Sequence, residues 1–111
     1  MKKLFAISGF ILMVLSGQVL AEDHHAEALE HANAAVTHGK AGHASVLVEH
    51  AKASVEHAKQ CANSATGDTK THTDAAVKSL DEAIKHGEMG HADVATKAAE
   101  QAVEHLKAGQ K

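Results

Sequence analysis

The sequence has no proline, tryptophan or tyrosine, and its single cysteine, Cys61, has no partner for a disulfide within the chain. Both phenylalanines lie in the first ten residues, so everything after them must pack without Phe, Tyr or Trp. The absence of proline removes the strongest helix breaker, and the abundant Ala, Glu, Lys and Gln are good helix formers. The sequence therefore favours a helical chain with a core of small aliphatic side chains.

The first 21 residues are typical of a secretory signal peptide. Two lysines precede an apolar run, and Val19-Leu20-Ala21 offers small residues at the two positions that signal peptidase reads. The apolar run is too short to cross a membrane comfortably. We expect cleavage after Ala21, export to the periplasm and a mature chain of residues 22–111, with an uncleaved anchor as the alternative.

Beyond residue 21 the chain is acidic. Once Lys2 and Lys3 are set aside, 14 acidic side chains face nine lysines, which gives a formal net charge of −5. Nucleic-acid binding needs a basic face, and helices that lie on membranes are basic and amphipathic. We therefore expect neither nucleic acid nor membrane as a partner of the mature chain, and the sequence specifies no protein partner.

The chain contains an internal duplication. Residues 24–61 align without gaps on residues 72–109, at an offset of 48, with 14 identities in 38 positions. The best-matched stretch sets HGKAGHASV (38–46) against HGEMGHADV (86–94). Each copy reads as helix, glycine turn, helix, which predicts a helical hairpin repeated twice.

The predicted fold is all-α: an antiparallel up-down-up-down four-helix bundle. Its hairpins span 22–60 and 72–111, and the polar segment 61–71 is the predicted linker. Apolar residues spaced by three and four give each helix one alanine-rich stripe, and whether the hairpins share a core stays open. We expect left-handed backbone after a helix end at Gly39 and Gly87, and chain reversal at Gly42 and Gly90.

Eleven histidines, all beyond residue 21, are the main chemical feature. Most recur every seven residues, so on each helix they form a line beside the apolar stripe. In an antiparallel hairpin these lines face each other, and we call each facing pair a rung. In the second copy both members of the middle rung are replaced, by Ser79 and Ala98. This joint loss indicates that the histidines act in pairs. The predicted rungs are His38·His43, His31·His50, His24·His57, His86·His91 and His72·His105.

Paired histidines are suited to binding metal ions. Two imidazoles share an ion at about 2.0–2.1 Å only if their nitrogens lie within roughly 3–4 Å, whereas a spacing of seven on one helix separates residues by about 10 Å. Imidazole suits copper, nickel and zinc, and affinity peaks at copper(II). We predict several bound copper ions, with nickel, zinc or other divalent metals also accepted. Neighbours four residues apart could add ligands: Glu27 with His31, Glu82 with His86, and His57 with Cys61.

Signal cleavage would create another kind of site. Glu22-Asp23-His24 would place a histidine third from a free amine, a nitrogen set that favours square-planar copper(II) or nickel(II), and His25 could assist. This site would compete with the rung for His24. Cys61 is expected to be a free linker thiol, with a dimer link or a copper(I) ligand as alternatives.

Four motifs stand out beyond residue 21: HGKAGH (38–43), EHAKASVEHAK (49–59), DEAIKHGEMGH (81–91) and VATKAAEQAVEHLKA (94–108). They resemble those of the small metal-binding proteins of the bacterial periplasm, short histidine-rich chains with a repeated seven-residue motif. The resemblance covers essentially the whole mature chain, and it implies a signal-cleaved helical protein that binds copper and other divalent ions in metal storage, trafficking or tolerance. The histidines inside these motifs are His38, His43, His50, His57, His86, His91 and His105.

The predicted function is therefore binding, buffering or sequestration of transition-metal ions, copper foremost. No catalytic arrangement is recognisable: Glu88-x-x-His91 has a di-metal spacing, but it falls in a turn, so we do not expect an enzyme. A pH-responsive helper is one alternative, because charging eleven histidines near pH 6.5 would move the net charge from −5 to about +6. A metal-free structural or partner-binding bundle is the other.

Overall fold

The computed structural model describes residues 21–110, with side chains from His24 onward. The predicted signal peptide therefore lies outside the described residues, apart from Ala21 at its end. The described part of the chain forms four helices. They are α1 (Ala21–Lys40), α2 (Ala44–Ser64), α3 (Gly67–Glu88) and α4 (Ala92–Ala108).

The predicted all-α bundle is confirmed. Helix α1 packs against α2 and α4, and α3 packs against the same two neighbours. The first hairpin is antiparallel, because histidines further along α1 contact histidines further back along α2: His24 with His57, His31 with His50, His38 with His43. None of the described helices has the length and apolar character that crossing a membrane requires.

The two hairpins share one core. A single cluster of buried apolar side chains draws on all four helices, and most of its members are alanines. Among the described side chains, the largest apolar ones without solvent exposure are Leu47, Leu80 and Leu106. Alanine lets helices approach closely but buries little apolar area per residue, so we expect this core to stabilise the fold only modestly.

The glycines of each turn have different roles from those predicted. Gly42 and Gly90 adopt positive φ, +83° and +81°, and reverse the chain as expected. Gly39 and Gly87 instead lie inside α1 and α3 with ordinary φ, so the predicted left-handed conformation is wrong at both. A Cβ on Gly39 would lie 2.6 Å from Leu47 Cδ1, because the neighbouring helix passes too close to allow a side chain.

The connection between the hairpins is shorter than the predicted linker of residues 61–71. Helix α2 continues to Ser64 and α3 begins at Gly67, which leaves only Ala65 and Thr66 between them. Cys61 and Ala62 are buried at the end of α2, so packing sustains a further turn of helix that the polar sequence does not suggest.

Candidate metal centre

The two rungs of the first hairpin that lie farther from its turn bring histidine nitrogens together. His24 Nδ1 lies 3.1 Å from His57 Nδ1, and His31 Nδ1 lies 3.2 Å from His50 Nδ1. With metal–nitrogen bonds of about 2.0–2.1 Å, such separations correspond to a nitrogen–metal–nitrogen angle of about 100°. That angle lies between square-planar and tetrahedral values. Each pair is therefore spaced to share one ion.

All five predicted rungs are confirmed as neighbouring rings. In His24·His57 and His31·His50 the ring centroids are 5.3 and 5.5 Å apart. The other three are wider, and two of them involve the residues that precede α2 and α4 at the turns. Their centroid distances are 6.2 Å for His38·His43, 5.9 Å for His72·His105 and 6.3 Å for His86·His91.

The rungs of the first hairpin also contact one another. His31 stacks on His57 with 5.8 Å between centroids and 7° between planes, and His38 stacks on His50 at 5.3 Å and 6°. The six rings thus form one continuous staggered row, which we call the ladder. The sequence predicted separate rungs, because heptad spacing fixes which residues face each other but not the offset between the two helices.

One carboxylate joins the ladder. Glu27, His31 and His57 can place one ligand atom each within 4.8 Å of one another, and among the described residues no other group of three does so. Glu27 Oε1 lies 3.7 Å from His57 Nε2, yet it is buried without a hydrogen-bond partner. Burying an unpaired carboxylate oxygen is unfavourable, so a cation held here would supply the missing partner.

His57 links two of these ligand sets. Its Nδ1 faces His24, while its Nε2 faces Glu27. A neutral imidazole has one lone pair, so an ion bound through Nε2 leaves Nδ1 as an N–H donor. As long as one nitrogen of His57 carries a proton, His57 can bind an ion either with His24 or with Glu27 and His31, but not in both places at once.

Burial favours the neutral imidazole at two ladder positions. It lowers the pKa of His50, and the nearby His31 and His38 lower it further. Burial also lowers the pKa of His57, and this effect outweighs the opposing influence of Glu27. Only the neutral ring can bind a metal ion, so these shifts preserve ligand capacity at lower pH.

The second hairpin has fewer candidate metal ligands than the first. Ser79 and Ala98 occupy the middle of its histidine row, which interrupts the row. Glu82, the predicted counterpart of Glu27, is exposed and belongs to no group of three ligands in the described part of the chain. His86 Nδ1 is buried without a hydrogen-bond partner, so the turn rung keeps one unsatisfied nitrogen.

His25 and Cys61 lie elsewhere than predicted. Cys61 is in α2 and only 4% exposed, so its predicted position in a linker is wrong, and a dimer link would first require the thiol to become exposed. Its Sγ lies 3.5 Å from Nδ1 of His25, which is itself buried, and so Cys61 has His25 rather than His57 as its partner. Their burial could have been predicted from the sequence, because both residues continue the apolar stripes: His25 lies three positions before Ala28, and Cys61 lies three after Ala58.

The amino-terminal site stays a prediction. Glu22 and Asp23 lie in the first turn of α1, and their side chains are outside the described residues. His24 faces His57, and His25 faces the core, so neither ring is placed to complete that site in this conformation. The helical turn would have to open first.

Paired imidazoles with a buried, unpartnered carboxylate oxygen are a metal-ligand arrangement, and comparison of the sequence agrees. A model of the family described as Small metal-binding protein matches residues 1–109. The chain belongs to the small metal-binding protein family. This confirms the resemblance and supports metal ions as partners of the protein. A search of curated proteins found no match.

Proposed function

We propose that this small metal-binding protein buffers or sequesters transition-metal ions, copper foremost, through neutral histidine pairs. The observation that carries the proposal is the group of Glu27, His31 and His57, whose ligand atoms lie within 4.8 Å of one another. Its carboxylate oxygen is buried and has no donor, which is the arrangement that a bound cation would satisfy.

Copper is proposed because the ladder offers imidazole nitrogens in pairs. Such ligands suit copper, nickel and zinc, and the general order of affinity peaks at copper(II). Each neutral ring supplies one lone pair, so ten rung histidines would hold at most five ions with two rings each. Several open sites of moderate affinity fit buffering better than a single closed cage.

We propose the periplasm as the compartment and binding rather than catalysis as the role. The signal-like first 21 residues support the location. A di-metal enzyme in a helical bundle needs Glu-x-x-His motifs that project inward. Here Glu88 is exposed and forms an ion pair with Lys52 at 3.6 Å, and His91 is exposed as well.

Native mass spectrometry of residues 22–111 with copper(II) at pH 7.5 and pH 5 tests the proposal. We expect several bound coppers at pH 7.5 and the loss of most of them at pH 5, because protonation removes the ligand lone pairs. The double variant His31→Gln, His57→Gln should lose at least one copper, whereas Glu82→Gln should lose none. Absence of copper binding at either pH would overturn the proposal.

A pH-responsive helper is the second candidate. Burial lowers the pKa of His50 and His57, so protonating these two rings opposes folding. Such a protein would change charge without needing metal. If copper does not bind, but acidification to pH 5 changes the oligomeric state or helicity, this second function is the one supported.

A further inference from the structure

We propose a second metal site of different chemistry, in which His25 and Cys61 bind one copper(I) ion inside the bundle. The pair joins α1 to α2 and shares no residue with the ladder. It therefore stands apart from the proposed histidine-pair function, and either could fail without the other.

The hydrogen bond of the opposite ring nitrogen orients His25. Its Nε2 donates to the backbone oxygen of Leu106 at 2.8 Å, which fixes the tautomer and leaves the lone pair on Nδ1. That lone pair faces Cys61 Sγ at 3.5 Å. A histidine that donates one N–H to a backbone carbonyl while its other nitrogen faces a ligand position is the usual arrangement behind metal-binding imidazoles.

The ligand pair suits a soft ion. Thiolate sulfur selects copper(I) and zinc among biological metals, and imidazole also binds copper. With metal–sulfur and metal–nitrogen bonds of about 2.3 and 2.0–2.1 Å, the 3.5 Å separation corresponds to an angle near 107° at the metal. Two-coordinate copper(I) prefers a linear arrangement, so binding would move the two atoms apart to about 4.3 Å. On binding, the thiol releases its proton to solvent and copper stays in the +1 state, so no oxidant or reductant is needed.

Burial separates this site from water. His25 is 8% exposed and Cys61 is 4% exposed, so the thiol is shielded from oxidants and from other thiols. Both residues lie near helix ends: α1 begins at Ala21, and α2 ends at Ser64. Helix ends open more readily than helix centres, which gives an ion a route to the pair.

The duplication provides an internal comparison. At the offset of 48 residues, Thr73 stands in place of His25 and Gly109 in place of Cys61. Thr73 is buried like His25, but it offers neither imidazole nor thiolate. The second copy therefore keeps the packing position without the ligands, and we expect one copper(I) site per chain.

Competition with a chromophoric copper(I) chelator under anaerobic, reducing conditions tests the proposal on residues 22–111. We expect one ion held more tightly than the rest, with its affinity lowered at least about 100-fold in Cys61→Ala, and about 10- to 100-fold in His25→Gln. The double variant His31→Gln, His57→Gln is the matched control and should keep this ion. Circular dichroism checks that each variant is folded.

Thiol alkylation of the wild-type protein gives an independent readout that requires no variant. One equivalent of copper(I) should slow the alkylation of Cys61 at least about tenfold, because the metal-bound thiolate is no longer free to react. Unchanged alkylation, or the same copper(I) affinity in wild type and Cys61→Ala, would overturn the proposal and leave His25 and Cys61 as a structural hydrogen bond.

Discussion

Two glutamates at equivalent places relative to histidine have different surroundings. Glu27 precedes His31 by four residues, and Glu82 precedes His86 by four. Of the two, only Glu27 has a buried carboxylate oxygen without a hydrogen-bond donor. The offset between α1 and α2 places His57 beside that oxygen. The local spacing is the same, so packing between helices decides which carboxylate is placed as a ligand.

Glu27→Gln should weaken the tightest ladder site for copper(II) about tenfold, or about 1.4 kcal/mol. The amide keeps the size of the side chain but removes its negative charge. Isothermal titration of the metal-free protein at pH 7.5 measures the loss. Glu82→Gln is the control and should bind as wild type; equal losses in both variants would contradict a specific role for Glu27.

Close helix packing depends on glycine at two helix ends. Gly39 of α1 lies against Leu47 of α2, and Gly87 of α3 lies against Val48, so that a Cβ at either position would meet a neighbouring side chain. Both glycines have ordinary helical backbone conformations. Glycine is needed at these positions because it has no side chain, which lets the neighbouring helix pack closely.

Gly39→Ala should lower the free energy of unfolding by about 1–3 kcal/mol, although alanine improves helix propensity by about 1 kcal/mol. The added methyl group must displace Leu47 and Thr96. Urea unfolding of the metal-free protein measures the change. Asn33→Ala, at an exposed position of the same helix, should be neutral or slightly stabilising; a Gly39→Ala protein more stable than wild type would contradict the tight packing.

The spacing of residues predicted the helices and the facing pairs, because both follow from the helical repeat. It placed His31 opposite His50 from the sequence alone. It could not give the stacking of His31 on His57, which depends on how far one helix slides along the other. Nor did it predict the contact of His25 with Cys61, since burial of a polar pair depends on the full core.

At the scale of the whole molecule, the eleven histidines outnumber the net charge of −5 beyond residue 21, so protonating all of them would make an acidic bundle basic. The histidine rows concentrate that change along the two hairpin seams, where rings already lie 5.3 to 6.3 Å apart. Protonated neighbours repel each other, so folding and proton uptake oppose each other.

The metal-free protein should lose stability as the pH falls below about 6.5, the pKa of histidine in an unfolded chain. His50 and His57 have lowered pKa values in the fold, so the unfolded chain takes up protons first. Above pH 6.5 both states are neutral and these residues contribute no pH dependence. Below the folded pKa values the loss is complete. The charged neighbours are His31, His38 and Glu49 for His50, and Glu27, His31, His24 and Glu56 for His57.

Urea unfolding at pH 7.5, 6.5, 5.5 and 4.5 measures this loss. The double variant His50→Gln, His57→Gln should show a shallower decrease than wild type, because it no longer contains the two shifted groups. A decrease as steep as that of the wild-type protein would mean that other groups govern the acid sensitivity.

The hydrogen bond from His25 to Leu106 also brings the start of α1 next to the end of α4. Both ends of the described chain thus lie at one pole of the bundle, and the turns at Gly42 and Gly90 lie at the other. A protein tethered to a surface or fused to a partner through either end would hold its turn rungs outward, towards the solution from which ions arrive.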